Sequence, residues 1–422
     1  MKKLVLLSLI FMFLLTSGTV SADVVEFEFW HAMSGANGEI LEELVEQFNE
    51  ENDSIEITPI FQGHYRDLFE KLSGAAQANQ LPTLTQIYPN RLTAYIMNDF
   101  VEDLTPYIFD EEIGFTTEEW EDIPEFFRND GIWNDNHYSL PFNKGGYLMF
   151  YNKDMFEKHG LEVPGNWDEL KEKAKKLTND DIKGIAFNQS VGIDSSFWVE
   201  QAGGELIDEE NDKIKFNEKE GVKAYEFLTG LINDGYAMIA EEDGYMSGPF
   251  VREEVAIGFS STSHLPYIKE AAEEYNVNWD TAVLPKGERK AALFSGTDIA
   301  MYNTSTEEQK AAAWEFIKYW FREDVTVDWG TNSGYLPLTY SAADSPDFVE
   351  YLEDNPAKGN AMKQFPYGYQ DPKVLNGYSI HSNMQQALEE IVKENRDVQE
   401  ALDDARDRAR QELDEAMRAF GQ

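Results

Sequence analysis

Val24-Val25-Glu26-Phe27-Glu28-Phe29-Trp30 alternates apolar and acidic residues, with Val25, Phe27 and Phe29 on one face and Glu26 and Glu28 on the other. That period of two is the pattern of a half-buried strand. Outward from it, Ile40, Leu41, Leu44, Val45 and Phe48 fall on one helical face, and Asn49 to Ser54 supplies the break. Ser54 to Phe61 reads as a strand, Tyr65 to Ala78 as a helix with Leu68, Phe69, Leu72 and Ala76 inward, and Leu84 to Tyr88 as a strand. The order β-α-β-α-β predicts a mainly parallel sheet flanked by helices.

A second run of such units begins near Leu140. Strands are expected at Gly146 to Tyr151, Ile182 to Asn188, Val255 to Ser260 and Trp279 to Leu284, with helices over Trp167 to Leu177, Ser195 to Ala202, Val222 to Ile232 and Tyr267 to Glu274. Gly204 to Phe216, centred on Asp208 to Asp212, reads as a hairpin whose tip is solvated. The count predicts two α/β lobes, and no Pro- or Ser-rich linker marks the join. Ser305 and Glu308 fit a capping box for a helix through Phe321. From Asn383 to Phe420 the chain reads as a charged, solvated helix with pairs such as Asp404 and Arg408 at i,i+4.

The 422 residues exceed what one core usually holds, and 42% hydrophobic residues suffice to bury two. With 79 acidic against 35 basic residues the formal charge is -44, which makes nucleic acid and anionic membranes poor partners and suits a saline medium. The absence of cysteine excludes disulfides, thiolate metal sites and a lipidated cysteine. Met1-Lys2-Lys3, the apolar run Leu4 to Leu15 and Val20-Ser21-Ala22 fit a signal peptide cleaved after Ala22. The expectation is a free periplasmic protein, with release into the medium as the alternative.

No nucleophile elbow, P-loop, dinucleotide fingerprint or zinc-protease motif occurs, and the six histidines lack metal-ligand spacing, so neither an enzyme nor a cofactor is expected. The 13% aromatics are the more informative feature. Trp30 beside His31, Tyr65, Tyr88, Phe142, Trp198, Tyr335, Tyr367 and Tyr369 fall at strand ends or in loops, where rings can stack on the apolar faces of sugars.

Several segments together resemble the extracellular solute-binding proteins of ABC importers, the family that includes maltose-binding and glycerol-3-phosphate-binding proteins. They are Phe29 to Met33, Phe48 to Asn52, Gly63-His64-Tyr65, Pro141-Phe142-Asn143, Tyr151 to Asp154 and Ser333 to Pro337. The resemblance covers essentially the whole mature chain and leans to the glycerol-3-phosphate branch. It implies a two-lobed periplasmic-binding fold, type II, with ligand between the lobes: 23–135 plus 293–335 as lobe one, 136–292 plus 336–422 as lobe two, and a strand over Leu293 to Tyr302 returning to lobe one. Position by position it implies ligand contacts at Tyr65, Tyr335, Ser260, Ser261 and the amide of Gly296.

Three positions depart from the glycerol-3-phosphate pattern. Pro89 follows Gln86-Ile87-Tyr88 where the relatives carry an acid, Lys144-Gly145 follows Asn143 where they carry serine, and Ile380 beside His381 stands where they carry the phosphate-facing arginine. Losing a bidentate phosphate partner changes the chemistry of a site. The expected function is therefore capture of a sugar or oligosaccharide for a permease by a monomeric protein, with Trp30, Tyr65, Tyr88 and Tyr335 stacking and Asn143, Ser260, Ser261 and Gly296 hydrogen-bonding. The alternative ligand is glycerol-3-phosphate or a glycerophosphodiester, with Lys144 or His381 replacing the arginine. A secreted carbohydrate-active enzyme and a sensory receptor domain are the rival classes.

Overall fold

The computed structural model describes residues 24–192, 194–209, 211–374 and 376–419. The expected signal peptide and its expected cleavage after Ala22 fall outside the described residues.

Ten strands form one continuous sheet. In chain order they are β1 (Val25–His31), β2 (Ile55–Phe61), β3 (Leu84–Ile87), β4 (Leu140–Asn152), β5 (Lys183–Asn188), β6 (Ala237–Ala240), β7 (Val255–Ser261), β8 (Trp279–Ala282), β9 (Ala292–Met301) and β10 (Gly368–Tyr369). The spatial order is β6-β5-β7-β4-β9-β3-β1-β2, with β8 added on β4 and β10 on β9. Both flanks are parallel: β1 pairs with β2 and β3, and β5 with β6 and β7. The centre is antiparallel, β4 meeting β7 on one side and β9 on the other, and β9 then meeting β3. The principal helices are α1 (Ala36–Glu51), α2 (Tyr65–Ala78), α3 (Pro89–Met97), α4 (Trp167–Leu177), α5 (Lys219–Asn233), α6 (Leu265–Tyr275), α7 (Glu307–Trp320), α8 (Glu323–Asn332), α9 (Tyr378–Glu394) and α10 (Val398–Ala419).

β1 behaves as its alternation requires, burying Phe27, Phe29 and His31 and exposing Glu26 and Glu28. β4 is longer than its sequence suggests. Its 13 residues are buried almost throughout, pairing with β9 over Leu140–Gly146 and with β7 over Tyr147–Tyr151. One strand thus runs through both halves of the sheet. The return strand expected over Leu293 to Tyr302 is β9, which carries an irregularity between Thr297 and Asp298.

Other expectations change in detail. The capping box of α7 is Thr306 with Gln309, because the Ser305 hydroxyl is turned away to the Thr83 hydroxyl at 3.0 Å. The charged tail is two helices rather than one solvated helix. Ile380, Met384, Ala387, Leu388 and Ile391 of α9 and Ala401, Leu402, Ala405, Ala409 and Leu413 of α10 are buried, giving each helix an apolar stripe facing the core. Asp404 and Arg408 do not pair: Arg396 takes Asp404, and Arg408 donates to Asn383 Oδ1 at 2.9 Å.

Lys358 sits buried at the C-terminal end of α8, donating to the carbonyls of Gly330 and, at 2.7 Å, Ser333. Burial, aided by the charge of Lys269, lowers its pKa to about 7. The neutral amine has two N–H donors for two carbonyls. In the unfolded chain lysine holds its proton to about pH 10.4, so between about 7 and 10 only the unfolded state is protonated and stability rises with pH. Lys358→Met should abolish this contribution, on the order of a few kcal/mol. Thermal unfolding of both proteins at pH 7 and pH 9.5 measures it, and equal pH slopes would contradict it.

Candidate ligand-binding cleft

A cavity of about 760 Å³ opens where β3, β4 and β9 meet the loops and helices of both halves of the sheet. Tyr65, Gln86, Tyr88, Pro89 and Arg91 line it from α2, β3 and α3; Asp130, Ser295 and Gly296 reach it beside the β4–β9 seam. Tyr147, Asp194, Gln370, Asp371, Tyr378 and His381 complete the wall.

Tyr65 is the first residue of α2 because the chain turns at Gly63, φ +99°, and the Asp67 carboxylate accepts the His64 amide at 2.9 Å. The Tyr65 hydroxyl accepts from Gln86 Nε2 and Asn143 Nδ2, each at 3.3 Å. The hydroxyls of Tyr335 and Tyr88 lie beside it, and burial pushes the phenol pKa up, so it stays neutral. The acceptors of both amides are fixed elsewhere: Gln86 Oε1 takes the Ala32 amide at 2.9 Å and Asn143 Oδ1 the Thr297 amide at 2.8 Å. The Tyr65 and Tyr88 rings meet at 5.0 Å and 55°. Tyr88 caps α3, with Pro89 at the first helical position, where a missing N–H costs nothing.

The wall is acidic. Asp194 accepts from the hydroxyls of Tyr147 at 2.7 Å and Ser190 at 3.0 Å and from Asn188 at 3.2 Å. Burial outweighs these bonds and raises its pKa. Beneath the cavity, Lys144 is fully buried between Asp130 at 2.5 Å and Asp298 at 2.7 Å, and Asp298 also accepts from Ser139 at 2.6 Å. Burial raises Asp130 to about 6 despite Lys144. The same two carboxylates hold Lys144 charged against the opposing effect of burial.

Of the residues singled out in the sequence, the structure brings Tyr65, Tyr88, Gly296 and His381 to the cavity. Asn143 stands directly behind Tyr65. So does Tyr335, stacked on Trp329 at 5.5 Å and 3°. Lys144 cannot serve as a phosphate partner, because its ammonium is enclosed by two carboxylates. Trp30 does not line the cavity; half-buried against the core around Ala32, Leu68 and Leu72, its indole donates to Glu28 at 2.7 Å. His31 points inward, accepting the Met33 amide at 3.3 Å, and burial lowers its pKa to about 4. Ser260 is buried in β7, and the Ser261 hydroxyl accepts the Ser263 amide at 3.4 Å to cap a turn. Phe142 and Trp198 are core. Ile380 is buried on the inner face of α9, so no side chain there faces an anion.

Gln86, Asp130, Tyr147, Asp194, Gln370, Asp371 and Tyr378 were not singled out. Only Gln86 carried a signal, inside the Gln86-Ile87-Tyr88 segment. Among the described residues, no group of three or more His, Asp or Glu is placed to hold a metal ion, and no helix is long and apolar enough to cross a membrane.

Long antiparallel strands joining two parallel flanks, with a polar cavity over the seam, define a two-lobed binding protein. The chain belongs to the bacterial extracellular solute-binding protein family, whose sequence model matches residues 43–357. It is a solute-binding protein of the ABC-importer type. The sn-glycerol-3-phosphate-binding periplasmic protein of Escherichia coli (strain K12) is 24% identical over 415 residues, 92% of this chain and 93% of the relative. That of Rhizobium meliloti (strain 1021) is 23% identical over 402 residues, 91% and 92%. Among solved structures, the sugar-binding protein MalE from Xanthomonas citri superposes with TM-score 0.82 at 22% identity, covering 94% of this chain and 100% of that one. UgpB from Mycobacterium tuberculosis in complex with glycerophosphocholine gives 0.81 at 22%, covering 92% and 98%. These likenesses establish the fold.

Proposed function

We propose that this protein captures a neutral sugar or short oligosaccharide in the cleft, closes over it by a hinge motion and presents it to a membrane permease. The observation that carries the reading is the composition of the wall: tyrosine rings and hydrogen-bonded carboxylates, with buried Ile380 where the glycerol-3-phosphate pattern has its arginine. The cavity volume is that of small-molecule sites in general. Tyrosine faces suit the apolar faces of a pyranose, while Asp194 and the amides suit its hydroxyls.

The basic groups of the wall have other partners. Arg66 pairs with Glu70 at 2.9 Å, and Lys373 donates to the carbonyls of Asn129 and Ile132. Arg91 is the exception that favours a second reading, a glycerophosphodiester: its guanidinium lies 4.7 Å from the Phe69 ring and 5.0 Å from that of Tyr378, at the cavity edge. The curated relatives are named for sn-glycerol-3-phosphate and one solved neighbour holds glycerophosphocholine, which supports the same alternative.

The hinge is β4 with β9, and the lobes are 23–135 plus 293–335 and the remainder. The protein is exported by the N-terminal signal, cleaved after Ala22, and acts as a free periplasmic monomer. Tyr65→Ala should weaken sugar binding roughly tenfold with the fold intact, since it removes a stacked ring and the hydroxyl that gathers Gln86 and Asn143. Isothermal titration against maltose and maltotriose reads this, and an unchanged affinity would take Tyr65 out of the site.

A further inference from the structure

Between β10 and α9 the chain passes along the cavity as Gln370-Asp371-Pro372-Lys373. Two neighbouring side chains there are incompletely bonded. Gln370 Nε2, a donor, and Asp371 Oδ1, an acceptor, are both shielded from solvent and lack a hydrogen-bond partner within the protein. The other Asp371 oxygen faces His381 Nε2 at 3.6 Å. Buried polar groups are nearly always bonded, and leaving one unbonded costs stability, so a donor and an acceptor side by side on a cavity wall call for a partner that supplies both.

The chemistry of that partner is restricted. A phosphate group offers acceptors only and meets the charges of Asp371 and Asp194, so a glycerophosphate would meet the pair only through its glycerol hydroxyls. A cationic group would satisfy Asp371 but leave the Gln370 donor unbonded. A hydroxyl pair does both, one donating to the carboxylate and its neighbour accepting from the amide. We infer that Gln370 and Asp371 are the specificity-determining pair of the cleft, reading adjacent hydroxyls of an uncharged sugar; this rests on the sugar reading of the same cavity.

The test is calorimetric titration of the wild type, Gln370→Ala, Asp371→Ala and Asp371→Asn with maltose, maltotriose, trehalose, glycerol-3-phosphate and glycerophosphocholine. Monodeoxy forms of whichever sugar the wild type binds complete the panel. Each substitution should weaken sugar binding roughly tenfold or more. For Gln370→Ala the melting temperature without ligand should hold or rise, because an unbonded buried donor has been removed. One deoxy sugar should lose affinity for the wild type and lose little further for Asp371→Asn, the signature of a direct contact. Asp371→Asn is isosteric, so the test survives if Asp371→Ala folds poorly. Sugar binding that is unchanged in all variants overturns the inference and leaves the sugar reading standing. A wild type that binds only the glycerophosphates, or none of the sugars, overturns both.

Discussion

Replacing Lys144 by methionine should lower the stability of the fold by about 3–5 kcal/mol, the usual cost of leaving buried charge without its partner. The ammonium is fully enclosed, 2.5 Å from Asp130 and 2.7 Å from Asp298. Methionine fills a similar volume but compensates neither carboxylate. The effect has a pH signature. Asp130, already raised to about 6 by burial, rises further without the lysine. Above its unfolded pKa the folded state then binds more protons than the unfolded state, and stability falls as pH rises. The deficit should therefore be smaller at pH 5 than at pH 8. Urea unfolding at the two pH values measures it, and a variant as stable as the wild type at pH 8 would mean that Lys144 does not secure the β4–β9 seam.

Gly296→Ala should be comparably severe and should also disable the cleft. Gly296 has φ +154°, and a Cβ there would stand 1.8 Å from the Asn143 carbonyl oxygen across the strand pair. No rotation of a side chain relieves that contact, so β9 must move off β4. A loss of at least about 3 kcal/mol is expected, as for other backbone clashes in a packed core. Asn143 bonds Thr297 on one side and Tyr65 on the other, so the displacement reaches the ligand wall. Sugar affinity should fall by more than the roughly tenfold expected for Tyr65→Ala. Gly230→Ala is the control, since nothing lies within 4 Å of a Cβ at that position in α5; it should stabilise by up to about 1 kcal/mol. Equal melting temperatures for the two variants would refute the argument.

These two positions also show where sequence reading stops. The units β1 to α2 were legible because each has one wet and one dry face, so that Glu26 and Glu28 against Phe27 and Phe29 declare the pairing. The first half of β4 was not. The strand was expected only from Gly146, and Leu140 to Gly145 joins it because Thr297 and Asp298, far along the chain, satisfy the polar side chains of Asn143 and Lys144. In the tail, charge density concealed an apolar stripe of small residues, Ala401, Ala405 and Ala409.

The site divided the same way. Tyr65 and Tyr88 were visible as rings at element ends, and both reach the cavity. Trp30 had the same signature, but β1 directs it to Glu28 outside the cleft. Asp194 and Asp371 were hidden by abundance, being two among 79 acidic residues with no spacing that sets them apart. Their place on the cavity wall distinguishes them, and that place follows from topology. Lys144, attractive as a free cation in the sequence, is consumed by its two carboxylates.

The most direct test of the account is a thermal-shift screen of the mature protein in high and low salt. The ligands are neutral mono- and disaccharides and maltodextrins, set against glycerol-3-phosphate and glycerophosphodiesters. A ligand that binds only the folded state raises the melting temperature by mass action. A rise with one or more neutral sugars and none with the glycerophosphates is expected. A rise with the glycerophosphates alone would contradict it, and would point to Arg91 as the anion partner.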